Sequence, residues 1–168
     1  MPFLVRWPGR IAASTRCDQP TIHVDIFPTL LELAGAKPPA QTLDGESLVR
    51  LFQNPESTLS RDAIFQHFPG YLGAGPQQWR TTPVSLVQQG DWKLMEFLED
   101  GRLELYNLRD DLGETHNLAQ EQPVKTRELL ARLQRWRAEI NAPMPTKNSP
   151  RAAKDPPPGV ERAAGENE

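Results

Sequence analysis

The sequence predicts an α+β domain in which about four antiparallel strands are backed by one long C-terminal helix, with short helices ahead of them. Three observations carry this reading. Two runs rich in aromatic and branched residues, Trp92 to Phe97 and Leu103 to Leu108, flank Asp100-Gly101, a pair that accepts the positive φ angles of a two-residue type I′ hairpin turn. Upstream, Ala63 to Phe68 and Val84 to Gln88 read as two more strands, which makes a meander of about four. Downstream, Leu129, Leu133, Trp136 and Ile140 recur at spacings of four, three and four, one apolar helical stripe against Arg127, Arg132, Arg135 and Glu139.

Taken in order, Phe3 to Trp7 is a short apolar run stopped by Pro8-Gly9 and is expected to be a buried strand. A core-like strand beside Met1 implies that the sequence once continued upstream. From Val24 to Gly35 a short helix is expected, with Asp25 as its cap, Pro28 in its first turn, Phe27, Leu30, Leu31 and Ala34 on one face and Gly35 as its stop. Ser47 to Phe52 reads as a second short helix after the Asp44-Gly45 turn. The stretch through Tyr71, Gly73 and Trp79 reads as a loop. In the hairpin, pairing outward from Asp100-Gly101 sets Leu98 opposite Leu103, Phe97 opposite Glu104, Glu96 opposite Leu105 and Met95 opposite Tyr106. Apolar residues then fall on both faces of the sheet. The long helix, opened by Pro123, covers one face, and the sequence offers no evident cover for the other. Arg109 to Leu118 is a turn rich in side chains that bond nearby backbone, and the Pro-rich stretch 143–168 is expected to be a disordered tail.

Composition limits the function. At 168 residues, 38% hydrophobic and 24% charged, the chain suffices for one ordinary domain. Nineteen basic and 22 acidic residues mix without a basic block, for a net charge of −3, which argues against nucleic acid or an anionic membrane as the main partner. A single cysteine, Cys17, permits no internal disulfide and no Cys-based metal site. The N-terminus has neither the charged lead nor the apolar region of a signal peptide, and no apolar run approaches the roughly 20 residues of a membrane-spanning helix.

Residues that could carry chemistry are few. His23, His67 and His116 are far apart and lack companions at metal-ligand spacing. His116 stands among Asp110, Asp111 and Glu114, a grouping that fits either a capped turn or an acid–base site. His67 ends a strand before a Gly-rich loop, where a scaffold displays binding residues, and a plain structural role fits it equally. Lys93 can meet an anionic substrate or extend its stem along the sheet edge. No phosphate-cradling glycine loop and no nucleophile elbow occurs.

Five segments together, in order, resemble the C-terminal part of arylsulfatase A-type sulfatases. They are Phe3-Leu4-Val5-Arg6-Trp7-Pro8-Gly9, Val24 to Gly35, Asp44-Gly45-Glu46-Ser47-Leu48, Gly90-Asp91-Trp92-Lys93-Leu94, and Leu105 to Leu108 continuing through Glu114 to Leu118. Gln88 and Leu112 depart from the pattern, where relatives commonly carry Arg and Pro. The resemblance implies the C-terminal subdomain of an alkaline-phosphatase-like fold: residues 1–142 a sulfatase segment, with 1–60 a remnant of the main domain edge and 61–142 the sheet-plus-helix subdomain. It also implies hydrolysis of sulfate esters by a formylglycine beside a calcium ion, both held by an N-terminal catalytic domain. Cys17-Asp18-Gln19-Pro20 does not match the Cys/Ser-x-Pro-x-Arg motif that yields formylglycine, so no catalytic residue and no metal ligand is carried over. His67 is the one residue that the resemblance places beside a substrate. The expectation is a fragment inactive by itself, whose partners are the catalytic domain and, through it, a sulfate ester. A non-enzymatic binding or complementing module, and a phosphodiester or phosphonate ester hydrolase fragment, are the alternatives.

Overall fold

A computed structural model describes residues 3–75 and 78–147. Its strands are β1 (Ile64–Phe68), β2 (Leu72–Gly75), β3 (Gln78–Thr81), β4 (Val84–Gln89), β5 (Trp92–Phe97) and β6 (Leu103–Asn107). Its helices are α1 (Ile26–Leu33), α2 (Val49–Gln53) and α3 (Pro123–Glu139). Strands β1, β4, β5 and β6 form one antiparallel sheet in that order. The expected α+β architecture is therefore present, with one addition. The stretch read as a loop around Tyr71 is a separate two-stranded ribbon, β2 with β3, in which Gly73 lies opposite Trp79 and the rings of Tyr71 and Trp79 meet at 5.0 Å.

The hairpin register differs from the expected one by two residues. Glu96 pairs with Leu103, Met95 with Glu104, Leu94 with Leu105 and Lys93 with Tyr106. Of Asp100 and Gly101 only Gly101 takes a positive φ, +73°, whereas a type I′ turn needs two. A wider loop results: Phe97 N–H donates to Arg102 O at 2.9 Å, Gly101 N–H donates to Phe97 O at 2.9 Å, and the Asp100 carboxylate accepts from Arg102 N–H at 2.9 Å. The tight turn lies at Gly90-Asp91 instead, where Gln89 faces Trp92 and Gly90 adopts φ +55°. Because strand side chains alternate with period two, a slip of two residues leaves each on its expected face.

That conservation of faces builds the core. Val87, Leu94 and Leu105, all 0% exposed, pack against Leu129 and Leu133 of α3, and Phe65 stacks on Trp136 with ring centroids 4.9 Å apart. Each such buried side chain contributes roughly 1.5–3 kcal/mol. The stripe of α3 does not end at Ile140, which is exposed; it continues four residues past Leu133 to Arg137, which is buried. Ile140 already sits at the helix end, where Asn141 turns left-handed (φ +50°) and Ala142 N–H donates to Arg137 O at 2.9 Å. On the outer edge of β6, Asn117 substitutes for a strand: its Oδ1 accepts from Leu105 N–H at 3.0 Å, its Nδ2 donates to Leu103 O at 3.2 Å, and Leu118 N–H donates to Leu105 O at 2.8 Å.

The N-terminal expectations need more correction. Phe3 to Trp7 is not a strand. No strand among the described residues offers it a ladder, Leu4 is 90% exposed, and the run ends in a turn where Arg10 and Ile11 N–H both donate to Trp7 O. Helix α1 ends as expected in a Schellman turn, with Gly35 at φ +64° and Ala36 N–H donating to Leu31 O at 2.9 Å. Asp25 does not cap α1; its carboxylate turns away and accepts from Ile22 N–H, Glu46 N–H and the Arg61 guanidinium. The second face of the sheet borders a cleft lined also by the N-terminal segment, α2 and the 108–114 turn. Residues Pro143 to Lys147 carry no regular structure, and the rest of the expected tail, 148–168, lies outside the described residues.

Candidate functional site

His67 stands near the end of β1 on the face that packs against α3, and its ring is tied at both nitrogens. Nε2 lies 2.7 Å from Pro143 O, which can only accept, so Nε2 carries a proton. Nδ1 lies 2.7 Å from Ser85 Oγ, and Ser85, itself 0% exposed, accepts from Arg137 Nη1 at 3.2 Å. Arg137 completes the chain with Glu96, Nη2 to Oε2 at 2.6 Å. The result is a half-buried polar series Glu96–Arg137–Ser85–His67 that fixes the segment after α3 to the sheet. Sequence reasoning found His67 but not its partners. The available signal was Arg137, four residues past Leu133 on an apolar stripe, where a charged group requires a buried counter-charge.

On the opposite face, Lys93 is paired within the chain: its Nζ donates to both Glu114 oxygens at 2.8 Å. The pair stands in the wall of the cleft, about 820 Å³, lined also by Val5, Leu51, Ile64 and Leu86. His116 is exposed and pairs with Glu121 at 2.7 Å, while Asp111 accepts from Thr115 N–H and His116 N–H, both at 2.8 Å. Those backbone donors, His116 first, hold the Asp111 carboxyl below the usual carboxylate range, as turn capping requires. His23 lies in the short 3-10 turn before α1, far from both other histidines in sequence and not grouped with them. Among the described residues no three His, Cys, Asp or Glu side chains converge as a metal-ligand set.

The densest polar cluster is one that the sequence did not announce. Asp25, with no exposed surface, pairs with Arg61 across 36 residues and accepts from Ile22 N–H at 2.9 Å and Glu46 N–H at 3.0 Å. Burial alone would raise its pKa; the Arg61 bond, the two backbone donors and the Arg61 charge together outweigh that and lower it. Glu46 in turn accepts from Ser60 and Arg61 N–H at 2.7 and 2.6 Å, and Thr29 Oγ1 donates to Asp25 O while accepting from Leu48 N–H at 2.9 Å. Gly45 makes this possible, because a Cβ there would stand 2.1 Å from Val24 O.

This arrangement binds structure to structure, and comparison with known proteins says what the structure is. Residues 1–140 match the family described as N-sulphoglucosamine sulphohydrolase, C-terminal. The chain belongs to that sulfatase family. It is 34% identical over 158 residues to a sulfatase of Formosa agariphila, covering 85% of this chain and 28% of that protein. Against the steryl-sulfatase of Rattus norvegicus it is 35% identical over 98 residues, 58% of this chain and 16% of the relative. A solved structure in complex with its substrate D-glucosamine-2-N,6-O-disulfate superposes with a TM-score of 0.68 at 27% identity, over 82% of this chain and 28% of that one. The chain thus spans less than a third of the length of the sulfatases it matches, at their C-terminal part. The alkaline-phosphatase-like fold expected from the resemblance is that of its structural neighbours, and the four-stranded sheet with its C-terminal helix is the portion of it present here.

Proposed function

We propose that this sulfatase C-terminal domain completes a catalytic body supplied by a preceding region, and that sulfate esters are hydrolysed only by the two together. The observation that carries the proposal is the match of residues 1–140 to a C-terminal family in proteins of which this chain represents 28%. Sulfuryl transfer to water needs an activated nucleophile and a positive centre for the transferred group's charge. The sequence contains no formylglycine motif around Cys17, and Lys93 and Arg137 are paired with Glu114 and Glu96. The formylglycine and calcium of the intact enzyme therefore belong to the preceding region. His67 keeps a role beside the ester only if a sulfate oxygen displaces the Pro143 carbonyl from Nε2; otherwise it positions the end of α3.

Relatives act on a sulfated sugar and on steryl sulfates by name, so the substrate class proposed is a sulfate ester of a sugar or sterol hydroxyl. A second reading is a phosphonate ester, favoured by a superposition on the phosphonate monoester hydrolase of Agrobacterium radiobacter with a TM-score of 0.50 at 26% identity. Purified chain, supplied with calcium and a chromogenic aryl sulfate, is expected to give no turnover above buffer; turnover by the chain alone overturns the proposal.

A further inference from the structure

Trp7, Trp92 and Trp136 are half-buried, the last two against the core, whereas Trp79 is 56% exposed. It stands on β3, in the two-stranded ribbon that leaves the sheet after β1 and returns to it at β4. A ribbon of two short strands has no core of its own, so nothing in its packing calls for large rings. Yet Tyr71, 46% exposed, meets Trp79 with ring centroids 5.0 Å apart and planes tilted by 51°. Both rings are held in place. The indole lies over bare backbone, since a Cβ added at Gly73 would stand 3.9 Å from Trp79 Cζ3, and the Tyr71 hydroxyl donates to Glu99 Oε1 in the loop between β5 and β6. That bond raises the phenol's pKa, which keeps it a donor. Glu99 is itself exposed, and its Oε2 accepts from no group among the described residues.

We infer that Tyr71 and Trp79 form a stacking platform for the ring of a sugar, with the Glu99 carboxylate as acceptor for a hydroxyl at the edge of that ring. The face of an aromatic ring is electron-rich and attracts C–H groups, which carry slight positive charge. A pyranose has a C–H face and a rim of hydroxyl donors, and an aromatic pair with an unfilled carboxylate oxygen beside it complements both. A sterol brings the apolar faces without the rim, so it would strip water from Glu99 and return no hydrogen bond. The platform also lies at the functional end of the sheet, because β1 carries His67 and runs within four residues into Tyr71. The inference rests on the proposed function, and of the two ring classes proposed there it selects the sugar.

The test titrates the full chain with N-acetylglucosamine, its 6-sulfate and a steryl sulfate, and reads the Trp79 indole N–H and the Gly73 backbone N–H by NMR. Both sugars are expected to shift these two signals in the millimolar range while leaving the Trp92 and Trp136 indoles in place. Tyr71→Ala, read at the indole, and Trp79→Ala, read at Gly73, are each expected to weaken the sugars by about fivefold or more, as loss of one stacked ring does. Trp79→Phe keeps a ring and is expected to retain most of the affinity, and Val124→Glu, at a residue 70% exposed elsewhere, all of it. Signals indifferent to both sugars, shifts that survive Trp79→Ala, or a response to the steryl sulfate in preference to the sugars overturn the platform. An indole that shifts with protein concentration alone assigns the rings to a second copy and overturns it as well. Release of inorganic sulfate during the titration contradicts the proposed function and leaves the platform standing.

Discussion

Asp25 accepts from two backbone N–H groups and from both terminal nitrogens of Arg61 while having no exposed surface. Breaking such a pair on one side leaves a buried guanidinium uncompensated, so Asp25→Asn is expected to cost roughly 3 kcal/mol in urea unfolding. The pH dependence has a definite sign. The folded-state pKa lies below the ordinary 3.8, so the stability due to this carboxylate is fully present above that value and is lost as the pH falls through the folded one. Acid titration of wild type against Asp25→Asn is expected to show the gap between them closing below pH 3.8 and constant above it. Gly45→Ala should be more damaging than its chemistry suggests, since its Cβ meets backbone atoms that cannot rotate aside. Little of this was legible. Asp25 before an apolar run looks like a helix cap, and nothing local to it in sequence points to Arg61; a contact across 36 residues is fixed by tertiary packing alone.

At the scale of elements the sequence was a better guide, because strand and helix periodicities are local. The α3 stripe as far as Trp136 and the four strands lie where those periods put them, Gly35 stops α1 as expected, and Ile140 is the position of the expected stripe that falls outside it. The hairpin shows the limit: Asp100-Gly101 signalled a turn correctly, but loop length depends on which residue takes the left-handed conformation, and that was Gly101 alone. The faces survived because the error was even. Phe3 to Trp7 failed for a different reason, since a strand needs a partner and an apolar run cannot say whether one is present. Two outcomes follow from the observed elements. Leu133→Ala, at a side chain with 0% exposure in the centre of the α3 contact, is expected to cost about 2–5 kcal/mol. Asn117→Ala strips the edge partner from the buried Leu105 amide and is expected to cost about 1–3 kcal/mol, with faster hydrogen exchange at Leu105 as its local signature.

For the whole molecule, the candidate chemistry was read mainly through what the residues do to each other. Lys93 and Glu114 neutralise one another, His67 spends both nitrogens inside the chain, and His116 is paired at the surface with Glu121. These groups hold a scaffold. Residues 1–140 match a sulfatase C-terminal family, and helix α1 turns an apolar side outward. The most direct test of that account is aryl sulfate hydrolysis by three purified samples in the presence of calcium: this chain, the N-terminal portion of the Formosa agariphila sulfatase, and the chimera joining them, all produced in a host that makes formylglycine. The account predicts turnover by the chimera and by neither part alone. Turnover by this chain alone, or an N-terminal portion as active as the chimera, would contradict it.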